Sequence, residues 1–202
     1  MLMSAPRFCG GVLARLALFV ICLTVSLGAI APAAHAQVTA FRQAVAEAAA
    51  RDEDLAAFYR ARSFEGIWTG PSIADRNRRA ALLAAFSQAD MHGLPASRYD
   101  PATIMQQLRD VRSPADQGRM EVELSRLFLQ YARDVQTGVL TPGSVVREIR
   151  REVPYRARVG LLEGFAQSSP SGFLQSLPPS SPEYGRLLRE KLRLEALLLA
   201  AG

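Results

Sequence analysis

Thiols, imidazoles and lysines are almost missing from these 202 residues. The chain has two cysteines, two histidines and one lysine, Lys191. Cys9 and Cys22 both lie in the first 22 residues, so no disulfide framework is expected for the remainder. With His35 and His92 as the imidazoles, a Cys/His metal cluster is not expected either. Beyond residue 36 there is no Gly-rich phosphate loop, no H-E-x-x-H, no G-x-S-x-G and no C-x-x-C. Runs of β-branched and aromatic residues are scarce, no alternating strand pattern exceeds a few residues, and no internal repeat is found. A sheet is therefore disfavoured. What is present is an Ala- and Leu-rich background, 49% hydrophobic and 21% charged, with enough apolar surface to bury a core. The expectation is an all-α fold, a compact helical domain of about six to eight helices.

The first 36 residues read as a secretory leader. Arg7 and Arg15 precede an uncharged apolar run from Leu16 to Ile30, and Ala34-His35-Ala36 offers the small residues that signal peptidase requires before Gln37. Cleavage there predicts a mature chain of residues 37–202, located in the periplasm; an uncleaved leader would act as an inner-membrane anchor. Cys22 has none of the small neighbours of a lipoprotein site. Losing Arg7 and Arg15 lowers the formal charge from +5 to +3 and removes every thiol. A basic chain can signal nucleic acid, but an exported one argues against that partner, so none is expected.

Helical periodicity, broken by proline and glycine, organises the rest. Val38–Ala50 and Leu55–Arg62 read as two short helices or one interrupted helix, with Asp52, Glu53 and Asp54 favouring the start of the second. The stretch Phe64 to Pro71 interrupts helical spacing with Gly66, Gly70 and Pro71 while carrying Phe64 and Trp68. Asp75–Ala89 resumes it and His92-Gly93-Leu94-Pro95 ends it. Asp100-Pro101 and Ser113-Pro114 each pair a capping side chain with a first-turn proline. The second pair opens the clearest helix, which places Leu124, Leu127, Phe128, Tyr131, Ala132 and Val135 on one face and ends at Gly138, where a left-handed cap fits. Thr141–Ser144 is a turn, and Val145–Arg151 has room for one or two helical turns. Leu161–Gln167 and Phe173–Leu177 are short apolar pieces. Ser181-Pro182 opens a last, Leu-rich helix to Ala200, whose apolar end predicts a chain that continues beyond Gly202.

Catalytic groups cannot be paired. His92 beside a Gly-Leu-Pro turn reads as a helix-end cap rather than a base, and Glu121 and Glu123 point about 200° apart on a helix. No catalytic, metal or cofactor residue is assigned. The densest charge, Arg147, Arg150, Arg151, Arg156 and Arg158 with Glu148 and Glu152 between them, is either a solvated patch or a holder of anionic envelope material, since guanidinium forks suit carboxylates and phosphates. Tyr59, Phe64 and Trp68 form either a sugar-stacking platform or part of a small core. Tyr59, Trp68, Arg147, Arg150 and Arg151 are accordingly the candidate substrate-binding residues.

Several of these pieces together resemble the N-terminal scaffold domain of the large murein L,D-transpeptidases of Gram-negative bacteria. The resemblance rests on Phe58-Tyr59 with Phe64 and Ile67-Trp68, on His92-Gly93-Leu94 with Tyr99-Asp100, and on Leu127-Phe128-Leu129 with Tyr131-Ala132-Arg133-Asp134 and Thr137-Gly138. Arg151-Glu152-Val153-Pro154, Pro178-Pro179, Pro182 and Tyr184 extend it over most of the mature chain. Such enzymes cross-link peptidoglycan stem peptides through a cysteine nucleophile in a Ser/Thr-His-Gly-Cys stretch, with a nearby histidine as base. This sequence contains no such stretch, so no catalytic residue carries over. The resemblance implies an exported scaffold module of a murein L,D-transpeptidase, not catalytic by itself, whose partner is a catalytic L,D-transpeptidase domain. A stand-alone periplasmic peptidoglycan-binding or adaptor protein is the alternative. In the first case the last helix should be partly uncovered.

Overall fold

The computed structural model describes residues 30–140 and 155–201. Most of the segment read as a leader, and the segments Thr141–Ser144 and Val145–Arg151, lie outside the described residues. The chain divides into two units, residues 1–39 and 40–202. The described part of the first is the beginning of helix α1, Ile30–Ala49, which contains Ala34-His35-Ala36. Among the described residues no helix is long and apolar enough to cross a membrane.

In the second unit the remainder of α1 is followed by α2 (Glu53–Ala61), α3 (Ile73–Ser87), two 3₁₀ turns (Ala89–His92 and Ala96–Arg98), α4 (Pro101–Arg109), α5 (Pro114–Thr137), α6 (Arg158–Gln167), α7 (Pro170–Gln175) and α8 (Pro182–Ala201). The fold is all-α, as the periodicity predicts, with no strand among the described residues. The N-terminal signals act as read. Asp52 accepts from the Leu55 amide, Asp100 from the Ala102 and Thr103 amides, and Ser113 and Asp116 form a reciprocal capping box at the head of α5. Each satisfies amide groups that the helix itself leaves without partners.

Helix α5 is the axis of the core. Its predicted face buries Leu124, Phe128, Tyr131, Ala132 and Val135. Phe128 meets Phe165 of α6 at a centroid distance of 4.7 Å, and Trp68 stacks on Phe165 at 4.9 Å. Further along α5, Tyr131 joins Phe86 and Tyr99 in a second cluster with centroids 5.2 to 5.5 Å apart. Full burial of each such ring stabilises by roughly 1.5–3 kcal/mol. Near its start α5 crosses α1 at Gly118, where a Cβ would sit 2.6 Å from the Phe41 carbonyl oxygen and 2.8 Å from the Ala44 Cβ. Only a missing side chain permits that approach.

Two local readings change. Gly138 has positive φ (80°) but an extended ψ of 166°, so it leaves α5 without the left-handed cap expected of it. Among the described residues, positive φ of the left-handed kind is found at Gly93, at the end of the first 3₁₀ turn, and at the pair Ser63 and Phe64 (φ 54° and 59°) after α2. There the Phe64 amide reaches back 2.7 Å to the Tyr59 carbonyl, as in a Schellman cap built without glycine. Two non-glycine residues in this region cost on the order of 1 kcal/mol each and persist because their surroundings hold them.

Candidate functional site

A few residues beyond that turn, the chain is held by a buried carboxylate. Glu121 of α5, fully enclosed, accepts at Oε1 from the Ile67 amide (2.6 Å) and at Oε2 from the amide and hydroxyl of Thr69 (both 2.8 Å). The Trp68 amide lies 3.2 and 3.1 Å from its two oxygens, and the Tyr59 hydroxyl 3.1 Å from Oε1. Trp68 Nε1 donates to Ser125 Oγ at 2.8 Å, and Ser125 Oγ lies 2.7 Å from the Tyr59 hydroxyl. Because the indole can only donate, the serine is free to donate to tyrosine and tyrosine to Glu121. Burial, with the Glu121 charge beside it, raises the Tyr59 hydroxyl well above its ordinary value and keeps it a donor. Gly66 is required here, since a Cβ would fall 2.7 Å from Glu121 Oε2.

This arrangement corrects the platform reading of Tyr59 and Trp68. Both rings are fully buried, and their polar atoms are spent on Glu121 and Ser125. They build the core and present no face to a sugar. Arg147, Arg150 and Arg151 lie outside the described residues. Of the same arginine cluster, Arg158 is neutralised: it bonds Asp52 at 2.5 Å and Asp54 at 2.9 Å, tying the head of α6 to the head of α2. Burial opposes ionisation of Asp52, but the Arg158 hydrogen bond, the Leu55 amide and the guanidinium charge outweigh it and hold the carboxyl below its ordinary value.

Arg156, by contrast, lines a groove of about 830 Å³ between α5 and the first turn of α6. The Gln136 amide, its oxygen turned toward the guanidinium, accepts from Arg156 Nε and Nη1 at 3.2 and 3.3 Å. Across the groove Arg133 of α5 lies over the Tyr155 ring, 4.9 Å from its centroid, and donates to the Tyr155 hydroxyl at 3.2 Å. Arg98 also lines it, but pairs with buried Asp134 at 2.7 Å, which accepts from Tyr99 as well (2.6 Å). Burial and Asp134 together push the Tyr99 hydroxyl far up, so it remains a donor. Sequence reading missed Arg133 as a partner of the cluster, because 23 positions separate it from Arg156. The conspicuous Tyr131-Ala132-Arg133-Asp134 motif was the available signal.

The last helix supplies the other unusual surface. None of α8 is buried; Leu187, Leu198 and Leu199 are 70%, 74% and 85% exposed. It is attached through its first turns, where the Tyr184 hydroxyl lies 2.6 Å from His92 Nδ1. His92 is thus a latch for α8, while Gly93 performs the capping expected of it. Among the described residues no cluster of three or more His, Cys, Asp or Glu side chains could hold a metal ion.

An α5-centred helical domain of this kind has a recognisable family. A family model for the Scaffold domain matches residues 53–192, from the head of α2 into α8, and the chain belongs to that family. No curated protein and no solved structure matches it.

Proposed function

We propose that this chain is the exported scaffold module of a murein L,D-transpeptidase, serving peptidoglycan cross-linking in the periplasm by packing against a catalytic domain. Membership of the Scaffold domain family supports the reading. So do the motif residues quoted above, because Tyr59, Trp68, Tyr99, Phe128 and Asp134 are the ones that join the turn after α2, α5 and α6 into one core. The observation that carries it is the uncovered apolar side of α8, since exposed patches of this kind mark a surface that another domain covers. The module supplies rigidity and a docking face, and the partner supplies the cysteine.

The test is a titration of the chain with an L,D-transpeptidase catalytic domain, read by sedimentation and by cross-linking of disaccharide-peptide substrate. A complex that raises cross-linking, and that the pair Leu198→Glu and Leu199→Glu dissolves, is the expected outcome. A chain that stays separate at tens of micromolar, with α8 unchanged in hydrogen exchange, overturns it.

A further inference from the structure

The groove between α5 and the head of α6 holds positive charge in a form suited to a ligand. Five arginines line it: Arg98, Arg126, Arg133, Arg156 and Arg158. Three of them meet carboxylates, Arg98 at Asp134, Arg126 at Glu123 and Arg158 at Asp52 and Asp54. Arg133 and Arg156 meet none among the described residues. They are positioned by neutral groups instead, a tyrosine ring and hydroxyl for one and an amide oxygen for the other. Such partners fix a guanidinium without cancelling its charge, and each guanidinium has five N–H groups to offer. Between them they leave several donors in the lining of one cavity.

The head of α6 adds to this. Its N-cap is Ala157, which has no side chain to accept from the first amides, and Ala157, Arg158 and Val159 line the same groove. That helix end carries a partial positive charge. The floor is apolar, formed by Leu129, Val139 and Leu161. The volume lies within the range of about 300–1,000 Å³ typical of small-ligand sites.

We propose that this groove binds the terminal carboxylate of a short peptide, forked between Arg133 and Arg156, with the peptide lying along the Leu129, Val139 and Leu161 floor. A planar monoanion matches two guanidinium forks. A polyanion does not suit the walls, because Asp54 and Asp134 stand in the same lining and confine the excess positive charge to the two arginines. The apolar floor asks for more than a bare anion. The groove needs no transpeptidase partner for this, so its failure and that of the proposed function are separate events.

The experiment measures fluorescence anisotropy of a labelled tetra-alanine peptide with a free C-terminus, and of its C-terminal amide, against the full chain at low salt. The free acid should bind about tenfold or more tightly than the amide, the loss expected for a charge-assisted hydrogen bond. Arg133→Gln and Arg156→Gln should each reduce its affinity by about tenfold, with helical circular dichroism unchanged, because both side chains are exposed. Arg109→Gln, on the exposed face of α4, should leave binding as it was. Equal binding of acid and amide overturns the proposal, as does full binding by the double variant. Inorganic phosphate that binds more tightly than the acid at the same two arginines overturns it in favour of a phosphate site.

Discussion

The segment from Ile67 to Thr69 and the last helix α8 treat their side chains in opposite ways. In the first, a glutamate is sealed from water and its two oxygens take donors from Tyr59, Ile67, Trp68 and Thr69. In the second, leucines stand in solvent from one end of the helix to the other. Polarity alone would assign the two regions the reverse way. The buried carboxylate is tolerated because every donor around it is matched, which removes the penalty of an uncompensated charge in a low-dielectric interior. The leucines are exposed because, among the described residues, α8 is anchored near His92 and none of its own side chains is buried.

Breaking the hub should have the largest effect. Glu121→Ala leaves several buried N–H and O–H groups without an acceptor, and should cost about 3–5 kcal/mol. Urea unfolding would show it as a lower midpoint, and Glu121→Gln, which keeps one acceptor oxygen, should recover part of the loss. Gly118→Val comes next. Its side chain collides with the α1 backbone at Phe41, and overpacking of this kind costs about 1–3 kcal/mol. An unchanged melting temperature would mean that the α1–α5 crossing is loose.

The remaining three predictions act on the other side of the comparison. Tyr184→Phe removes the hydroxyl that meets His92, at about 1 kcal/mol, and should raise hydrogen exchange in the first turns of α8 about fivefold while amides in α5 stay protected. Acidification should act in the same direction. Burial lowers the His92 pKa from 6.5, and nearby Asp90 only partly opposes it. The unfolded chain therefore takes up the proton first. The contribution of the latch is complete above about pH 6.5 and falls as pH drops below that value. After correction for intrinsic exchange, α8 protection should decline between pH 7 and 5, and His92→Phe should flatten that dependence. The smallest effect on stability belongs to the tip. Leu198→Glu with Leu199→Glu should change the unfolding free energy by within about 0.5 kcal/mol each, because nothing is packed there. A larger loss would show that the tip is packed after all.

Much of the helical framework was legible because local signals carry it. Asp100 and Ser113 cap the helices they were expected to cap, Asp52 caps the helix whose start the three acids were expected to favour, and the α5 stripe from Leu124 to Val135 faces the core. These depend on neighbours a few positions away. The polar hub was not legible, since Glu121 lies more than 50 positions from Ile67, Trp68 and Thr69. Reading Glu121 against Glu123 tested the wrong pairing for the same reason. Gly138 shows the limit even of local signals: a positive φ was expected and found, but the direction of the chain after it is set by what it leads into.

By itself the sequence determined the class of fold, the starts of α4, α5 and α8 and the absence of a thiol after residue 36, because composition, capping and periodicity act over a few residues. Only tertiary structure decided that Tyr59 and Trp68 are interior, that Arg158 is neutralised while Arg133 and Arg156 share a groove, and that the leucines of α8 remain uncovered. Each of those outcomes depends on residues far apart in the chain arriving at the same place. Burial and charge pairing are properties of that meeting, and no stretch of sequence carries them alone.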